Sequence, residues 1–329
     1  MTKSLTHPPH WVRLGLVGLL AYFYVDGFLK GASGLEIALF TTLALPFLAG
    51  LLHTLSDLES PTAPALAQVV ASTLGAMAVA FLARELHLEP VLAAAVVGVV
   101  ASSPITPTWL RAHAAPVYVG AFAGMTSPLV LAHPLLVAAA GAIAGLLFSV
   151  LRSTWLGVGG KLGMLAFTGV TLASLLAHWL GVSAGEAKLL ELQLPDKLAI
   201  LVAAPAAAVA TYELQQRLGW SPVLASASVT CTFVLAMVFI GAESLYAVAP
   251  AAIACFGGSF VAMTGEVHAA DRPWLPAVGG VIYGLLQISF EPTLAGIGGD
   301  FGATAVVAVL VVIGLEKLAA PVSAVVTRD

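Results

Sequence analysis

A glycine-rich heptapeptide occurs twice in this chain, and the repetition extends outward from it. The first copy, Gly-Val-Gly-Gly-Lys-Leu-Gly, occupies residues 157–163, and the second, Gly-Ile-Gly-Gly-Asp-Phe-Gly, occupies residues 296–302, 139 residues later. A second block, Gly-x-Phe-x-x-Met-Thr, begins at Gly120 and again at Gly258. Matching blocks in one order indicate an internal duplication, so any fold for this chain has to contain two related halves.

The environment of these halves follows from the scarcity of charge. Of the 329 residues, 60% are hydrophobic and only 9% are charged, whereas soluble domains carry roughly 25% charged residues. The apolar residues form continuous runs near the ~20 residues that a spanning helix needs, without the alternation of barrel strands. The sequence therefore predicts an all-α, polytopic membrane protein. A net charge of −4 gives no reason to expect a nucleic-acid partner.

The apolar runs divide the chain into three parts within one membrane domain. Residues 1–60 are predicted to form a helix pair, residues 61–183 a first five-helix repeat and residues 184–329 a second one. The segment 183–197, where charged residues alternate with leucines, is expected to lie at the interface. About twelve spans are predicted, near residues 11–29, 36–51, 65–83, 90–110, 114–126, 134–151, 162–180, 198–212, 222–240, 245–264, 273–290 and 301–318.

Basic residues predict the orientation of these spans. With the N-terminus inside, nine lysines and arginines fall on the cytoplasmic side and four on the other, as the positive-inside rule requires. This favours a plasma (inner) membrane protein with both termini cytoplasmic. Because each repeat holds an odd number of spans, the two repeats are expected to be inverted relative to each other. The matching positions Arg152 and Glu291 would then face opposite sides.

The glycine-rich stretch stands just before the last span of each repeat. Two interpretations are open: a tight turn at the interface, or a re-entrant segment lining a pathway, where irregular backbone is tolerated inside a membrane protein. Asp300 suits a helix N-terminus, but the macrodipole disfavours Lys161, which needs a carboxylate, water or an anion as partner. The stretch contributes six candidate substrate-binding residues: Gly159, Gly160, Lys161, Gly298, Gly299 and Asp300.

The second repeated block supplies the other candidates, Met125 and Thr126 with Met263 and Thr264. Each threonine stands where its helix is expected to end, against Ser-Pro in one half and Gly-Glu in the other. Paired hydroxyls and freed carbonyls at helix breaks suit solute or cation coordination in transporters built from inverted repeats. The alternative is that the small residues of this block only provide a helix-packing face.

These features favour a secondary transporter or facilitative channel that moves a small solute or ion between the two repeats. The expected partners are that solute and membrane lipid, and a homo-oligomer is compatible with such a bundle. We expect no cofactor, no metal and no catalytic residue, because the sequence carries neither H-E-x-x-H nor G-x-S-x-G. The alternatives are an intramembrane enzyme and a structural subunit of a membrane complex.

Overall fold

The described part of the chain is helical throughout and contains no strand. A computed structural model describes residues 10–30, 34–56, 65–182, 192–240, 249–265, 272–290 and 296–319. These residues form thirteen helices: α1 (His10–Lys30), α2 (Gly34–Ser56), α3 (Leu66–Arg84), α4 (Pro90–Ser102), α5 (Thr108–Arg111), α6 (Ala114–Gly124), α7 (Pro134–Val150), α8 (Lys161–Trp179), α9 (Leu194–Leu218), α10 (Pro222–Phe239), α11 (Ala249–Val261), α12 (Leu275–Phe290) and α13 (Asp300–Ala319).

Six of these helices, α2, α3, α8, α9, α10 and α13, are long and apolar enough to cross a membrane. Helices α1, α4, α6, α7, α11 and α12 are apolar but contribute shorter segments. A hydrocarbon core about 30 Å thick needs ~20 helical residues, and α6 has only 11. The helical, membrane-protein character predicted from composition is thus supported, while the twelve-span count stays a prediction.

The predicted helix limits are wrong at two places. A single span was expected over residues 90–110, but α4 ends at Ser102 and a separate turn of helix, α5, follows. The residue before a proline disfavours helical backbone, and Ser103 precedes Pro104. In the second half, a span was predicted over residues 198–212, but α9 extends from Leu194 to Leu218. The end of the predicted interfacial segment, 194–197, therefore belongs to α9, and residues 183–191 lie outside the described part.

Corresponding helices of the two halves make corresponding contacts. In the first half, α7 crosses α3 antiparallel, with Gly141 against residues 72–76 and Gly145 against residues 68–72. In the second half, α12 crosses α9 in the same way, with Gly280 against Pro205 and Gly284 against Ile200 and Leu201. The glycines are small enough to bring the backbones together, which is how membrane helices associate closely. The repetition seen in the sequence therefore extends to the packing.

The two halves meet where α8 and α13 begin. Gly160 faces residues 302–306 and Gly299 faces residues 163–167, while Gly163 and Gly302 lie directly against each other. As the residue number rises along α8, the number of the partner residue falls along α13, so the first turns of the two helices are antiparallel. A Cβ atom added to Gly163 would stand 2.6 Å from the Cα atom of Gly302. We call this contact the glycine crossing.

Replacing Gly163 by alanine should destabilise the protein. The new methyl group would meet backbone rather than a movable side chain, and overpacking of this kind costs about 1–3 kcal/mol. Thermal unfolding of the purified protein in detergent measures the effect. Gly15→Ala is the matched control, because an added Cβ atom at this helical glycine of α1 has open space around it. Equal unfolding temperatures for the two variants would contradict the crossing.

Candidate functional site

Each glycine-rich stretch packs against the Met-Thr helix end of the other half. A Cβ atom at Gly159 would lie within 2.7 Å of Phe260 O and Thr264 Oγ1, at the end of α11. At the matching position, Gly298 stands against Phe122 O and Thr126 Oγ1, at the end of α6. Within each half, the two repeated blocks are about thirty residues apart in sequence. In space, the glycine-rich stretch of one half contacts the Met-Thr block of the other half, and we call this reciprocal contact the exchanged junction.

Two backbone hydrogen bonds stabilise the contact between each glycine-rich stretch and the helix end of the other half. The N–H of Ser127 donates to the carbonyl of Gly296 at 2.9 Å, and the N–H of Gly265 donates to the carbonyl of Gly157 at 2.8 Å. Gly157 and Gly296 both have positive φ, 73° and 79°, which glycine adopts without the steric cost borne by other residues. Each bond connects one half to the other at equivalent positions.

The threonine hydroxyls terminate their helices. Thr126 Oγ1 donates to the carbonyl of Ala123 at 2.7 Å, and Thr264 Oγ1 donates to the carbonyl of Val261 at 2.5 Å. Thr126 Oγ1 also accepts a hydrogen bond from the N–H of Gly298 at 3.1 Å. Both side chains are buried, 2% and 6% exposed. Their position at helix ends agrees with the sequence prediction. Of these hydrogen bonds, the one from Gly298 to Thr126 joins the two halves.

Lys161 and Asp300 are the first residues of α8 and α13, which meet at the crossing. Lys161 Nζ donates to the backbone carbonyl of Arg152 at 2.7 Å, so its protein partner is a carbonyl oxygen. Asp300 Oδ1 accepts from the N–H of Phe301 at 2.8 Å, and the carboxylate suits the positive end of the helix dipole. Glu291, the expected counterpart of Arg152, lies outside the described residues.

A cavity of about 770 Å³ opens on one side of the crossing. Its walls come from both halves: the segment between α4 and α6, the turns between α7 and α8, the connection between α9 and α10, and Met263. Arg111, Arg152 and Lys161 supply three cationic groups. Phe148, Leu156, Val158, Leu162, Val223 and Leu224 are among its apolar lining residues.

Beyond the cavity, four aromatic rings fill the interface between the halves. They are Tyr118 and Phe122 of α6 with Phe256 and Phe260 of α11, and all four are fully buried. Phe122 lies 4.8 Å from Phe260 between ring centroids, and Tyr118 lies 6.2 Å from Phe256. The cavity lining includes Ala115 and Met263, each three residues from one of these rings. The cavity thus ends about one helical turn from the aromatic cluster.

The structure brings the ten candidate residues into one region at the junction of the halves, but on different sides of it. Gly160, Lys161 and Met263 line the cavity; the remaining seven form the buried junction around it or lie towards the opposite side. Sequence reasoning did not select Arg111, Arg152 or Trp220 as cavity residues. Its only signal was the grouping of Arg111, Arg152 and Lys161 on one predicted face.

No family model, curated protein or solved structure matches this chain.

Replacing Thr126 by the isosteric valine should destabilise the protein more than Thr264→Val. Both variants lose a hydroxyl that bonds within its own helix, but Thr126→Val also leaves the buried N–H of Gly298 without its acceptor. A buried donor without a partner costs about 1–3 kcal/mol. Unfolding temperatures in detergent compare the two, and a larger loss for Thr264→Val would show that the Gly298 bond does not hold the junction.

Proposed function

We propose that this chain is an integral membrane secondary transporter that moves a small solute or ion through a path between two inverted five-helix repeats. The observation that carries the proposal is the exchanged junction: each glycine-rich stretch lies on the Met-Thr helix end of the other half, beside a cavity that both halves line. Inverted repeats with the site at their interface are a recurring design of secondary transporters. The link from this design to transport is an analogy of architecture.

The lengths of α8 and α13 support a position of the glycine crossing within the membrane rather than at its surface. The helices contain 19 and 20 residues and touch through their first two turns. At ~1.5 Å per residue, they extend about 25 Å from the crossing in opposite directions. A junction at one face would send one of these apolar helices far outside a ~30 Å hydrocarbon core. The crossing therefore belongs near the midplane.

The helices too short to span alone support the same arrangement. Irregular backbone is tolerated at membrane depth only where protein buries it or where it lines a cavity. The segment after α4 includes the cavity residues Pro104, Arg111 and Ala112, and Thr126, just after α6, is buried against the other half. Both irregular segments, after α4 and after α6, are therefore buried by protein or line a cavity. This arrangement is compatible with twelve membrane crossings, with both termini in the cytoplasm and with a location in the plasma (inner) membrane.

Within transport, the packing at the centre favours a transporter that alternates between states over a permanently open channel. The glycine crossing leaves no room for a Cβ atom, and the four buried rings stand next to it in the interface. A solute in the cavity would need these contacts to rearrange before it could pass. Rocking of one half against the other, which is common for inverted repeats, would open them. A facilitative channel would need a separate open state.

Cysteine labelling tests the inverted topology. In a variant with Cys231 and Cys255 replaced by alanine, we place single cysteines at His133, directly before α7, and at Trp274, directly before α12. A membrane-impermeant maleimide applied to intact cells should label His133→Cys and spare Trp274→Cys, because these ends would face opposite sides. If both cysteines react in intact cells, or if both react only after the cells are permeabilised, the two helix starts face the same side and the inverted topology is refuted.

Reconstituted vesicles test transport itself. A panel of radiolabelled cations, anions and neutral metabolites, with and without ion gradients, should show protein-dependent flux of at least one class. Lys161→Ala should reduce this flux, because Lys161 lines the cavity beside the crossing. Arg217→Ala is the matched control, since Arg217 is an exposed cation paired with Glu213 and lies outside the cavity lining. A folded protein that moves none of the panel would favour a structural subunit or an enzyme.

A further inference from the structure

We propose that the cavity beside the glycine crossing binds a small organic anion through a carboxylate or phosphate group, and that this anion is the transported solute. The second clause rests on the proposed function; the binding site itself does not. The inference comes from the charges of the cavity wall, the partners of those charges and the helix ends that face the space.

Among the described residues that line the cavity, every formal charge is positive. Arg111 ends α5, Arg152 lies in the turns after α7, and Lys161 begins α8. The lining residues from the described ranges include no aspartate or glutamate. A space with low-dielectric walls and charge of one sign concentrates solutes of the opposite sign. The three cations come from separate segments, so the fold, rather than sequence proximity, assembles them.

These cations retain hydrogen-bonding capacity. Among the described residues, Lys161 Nζ has one acceptor, the carbonyl of Arg152, whereas an ammonium group carries three donors. Arg111 Nη1 donates to the carbonyl of Pro104 at 3.2 Å, and a guanidinium carries five donors in a planar fork that matches carboxylate and phosphate oxygens. The ion pairs formed by described residues, Arg217 with Glu213 and Arg272 with Glu316, do not involve the cavity cations.

The position of Lys161 is itself unfavourable without an anion. It is the first residue of α8, where the helix dipole disfavours a cation. The N-cap residue of α8 is Gly160, which provides no side-chain acceptor for the first turn. At the equivalent position of α13 the chain has Asp300, the residue type that the dipole favours. An anion in the cavity would satisfy Lys161 and the uncapped end of α8 together.

Two other helices begin at the same space and add to this potential. Helix α6 starts at Ala114 and α10 at Pro222, and both N-termini line the cavity. Free N–H groups at helix N-termini bind anions. In α10, Pro222 has no N–H and the Ser221 hydroxyl already accepts from the N–H of Leu224, so this helix contributes chiefly the positive end of its dipole. Together with the cations, these N-termini make the cavity positive on several sides.

The rest of the wall indicates an organic anion rather than a bare inorganic one. Phe148, Leu156, Leu162 and Met263 line the space, and pockets for small organic ligands combine apolar walls with a few polar groups that orient the ligand. The volume, about 770 Å³, leaves room for a carbon skeleton beside the charged head group. The head group of an anionic lipid has the same chemistry, so the experiment has to separate it from a soluble solute.

The test measures binding with the purified full chain in nanodiscs that contain only phosphatidylcholine, at constant ionic strength. Thermal unfolding is followed while succinate, inorganic phosphate, potassium chloride or glycerol is added. We expect succinate, and more weakly phosphate, to raise the unfolding temperature in a saturable way, with no such effect of potassium chloride or glycerol. Lys161→Met should weaken the apparent affinity for succinate about tenfold or more, because it removes a charge-assisted hydrogen bond.

Three further variants make the result specific. Lys161→Arg should retain binding, since it keeps the cation. Arg217→Gln should bind like the natural chain, since it removes a cation from outside the cavity lining. If Lys161→Met does not fold, Arg111→Met provides the same comparison from another wall of the cavity. Equal succinate affinity in all cavity variants and the natural chain would overturn the site.

The lipid arm repeats the titration in nanodiscs containing phosphatidylglycerol. Stabilisation by phosphatidylglycerol alone, lost in Lys161→Met and with no response to succinate, would assign the cavity to a lipid head group and overturn the proposal. Flux assays distinguish anion binding in the cavity from transport. Succinate binding without any flux would support the anion site and remove transport, whereas flux of a cation or neutral solute without anion binding would remove the anion site and leave transport.

Discussion

The contact on which the structure depends is backbone against backbone at the glycine crossing. Membrane helices gain little from burying apolar side chains against each other, because the surrounding lipid is equally apolar, so close van der Waals packing and hydrogen bonds have to hold them together. Gly163 and Gly302 permit that packing, since a methyl group on either would collide with the other backbone. The positive φ of Gly160 and Gly299, 82° and 93°, turns the chain into the helix at the same place.

This junction explains why the two repeated blocks lie far apart in sequence and together in space. A glycine-rich stretch alone would be an irregular segment with free N–H and C=O groups, which is costly inside a membrane protein. The helix end of the other half supplies the missing partners through Ser127 with Gly296 and Gly265 with Gly157. Because each half supplies hydrogen-bond partners to the other, a substitution in one block alters contacts in the opposite half.

Much of this architecture could be predicted from the sequence, because it follows from composition and repetition. Continuous apolar runs located nearly all the helices, and the repeated blocks identified the residues of the junction. The break of α4 at Ser103-Pro104 was available from the pre-proline rule but was obscured by the apolar run around it. The exchange between halves could not be predicted, since nothing local to Gly159 specifies that its neighbour is Thr264 rather than Thr126. That choice depends on the three-dimensional path of the four described helices, α8 to α11, between Gly159 and Thr264.

The cavity shows a different limit of sequence reasoning. Lysine and arginine at the cytoplasmic ends of spans are expected in any membrane protein, so the grouping of Arg111 and Arg152 on one predicted face did not by itself indicate a site. What distinguishes them is convergence: three segments separated by up to fifty residues place their cations around one space, and the part of its lining that the structure describes holds no carboxylate. The two copies of the glycine-rich stretch also differ in charge. The junction is nearly symmetric in its backbone, yet Lys161 and Asp300 give its two sides opposite charges. The two sides of one shared backbone pattern therefore differ in the charge of the ion that each would attract.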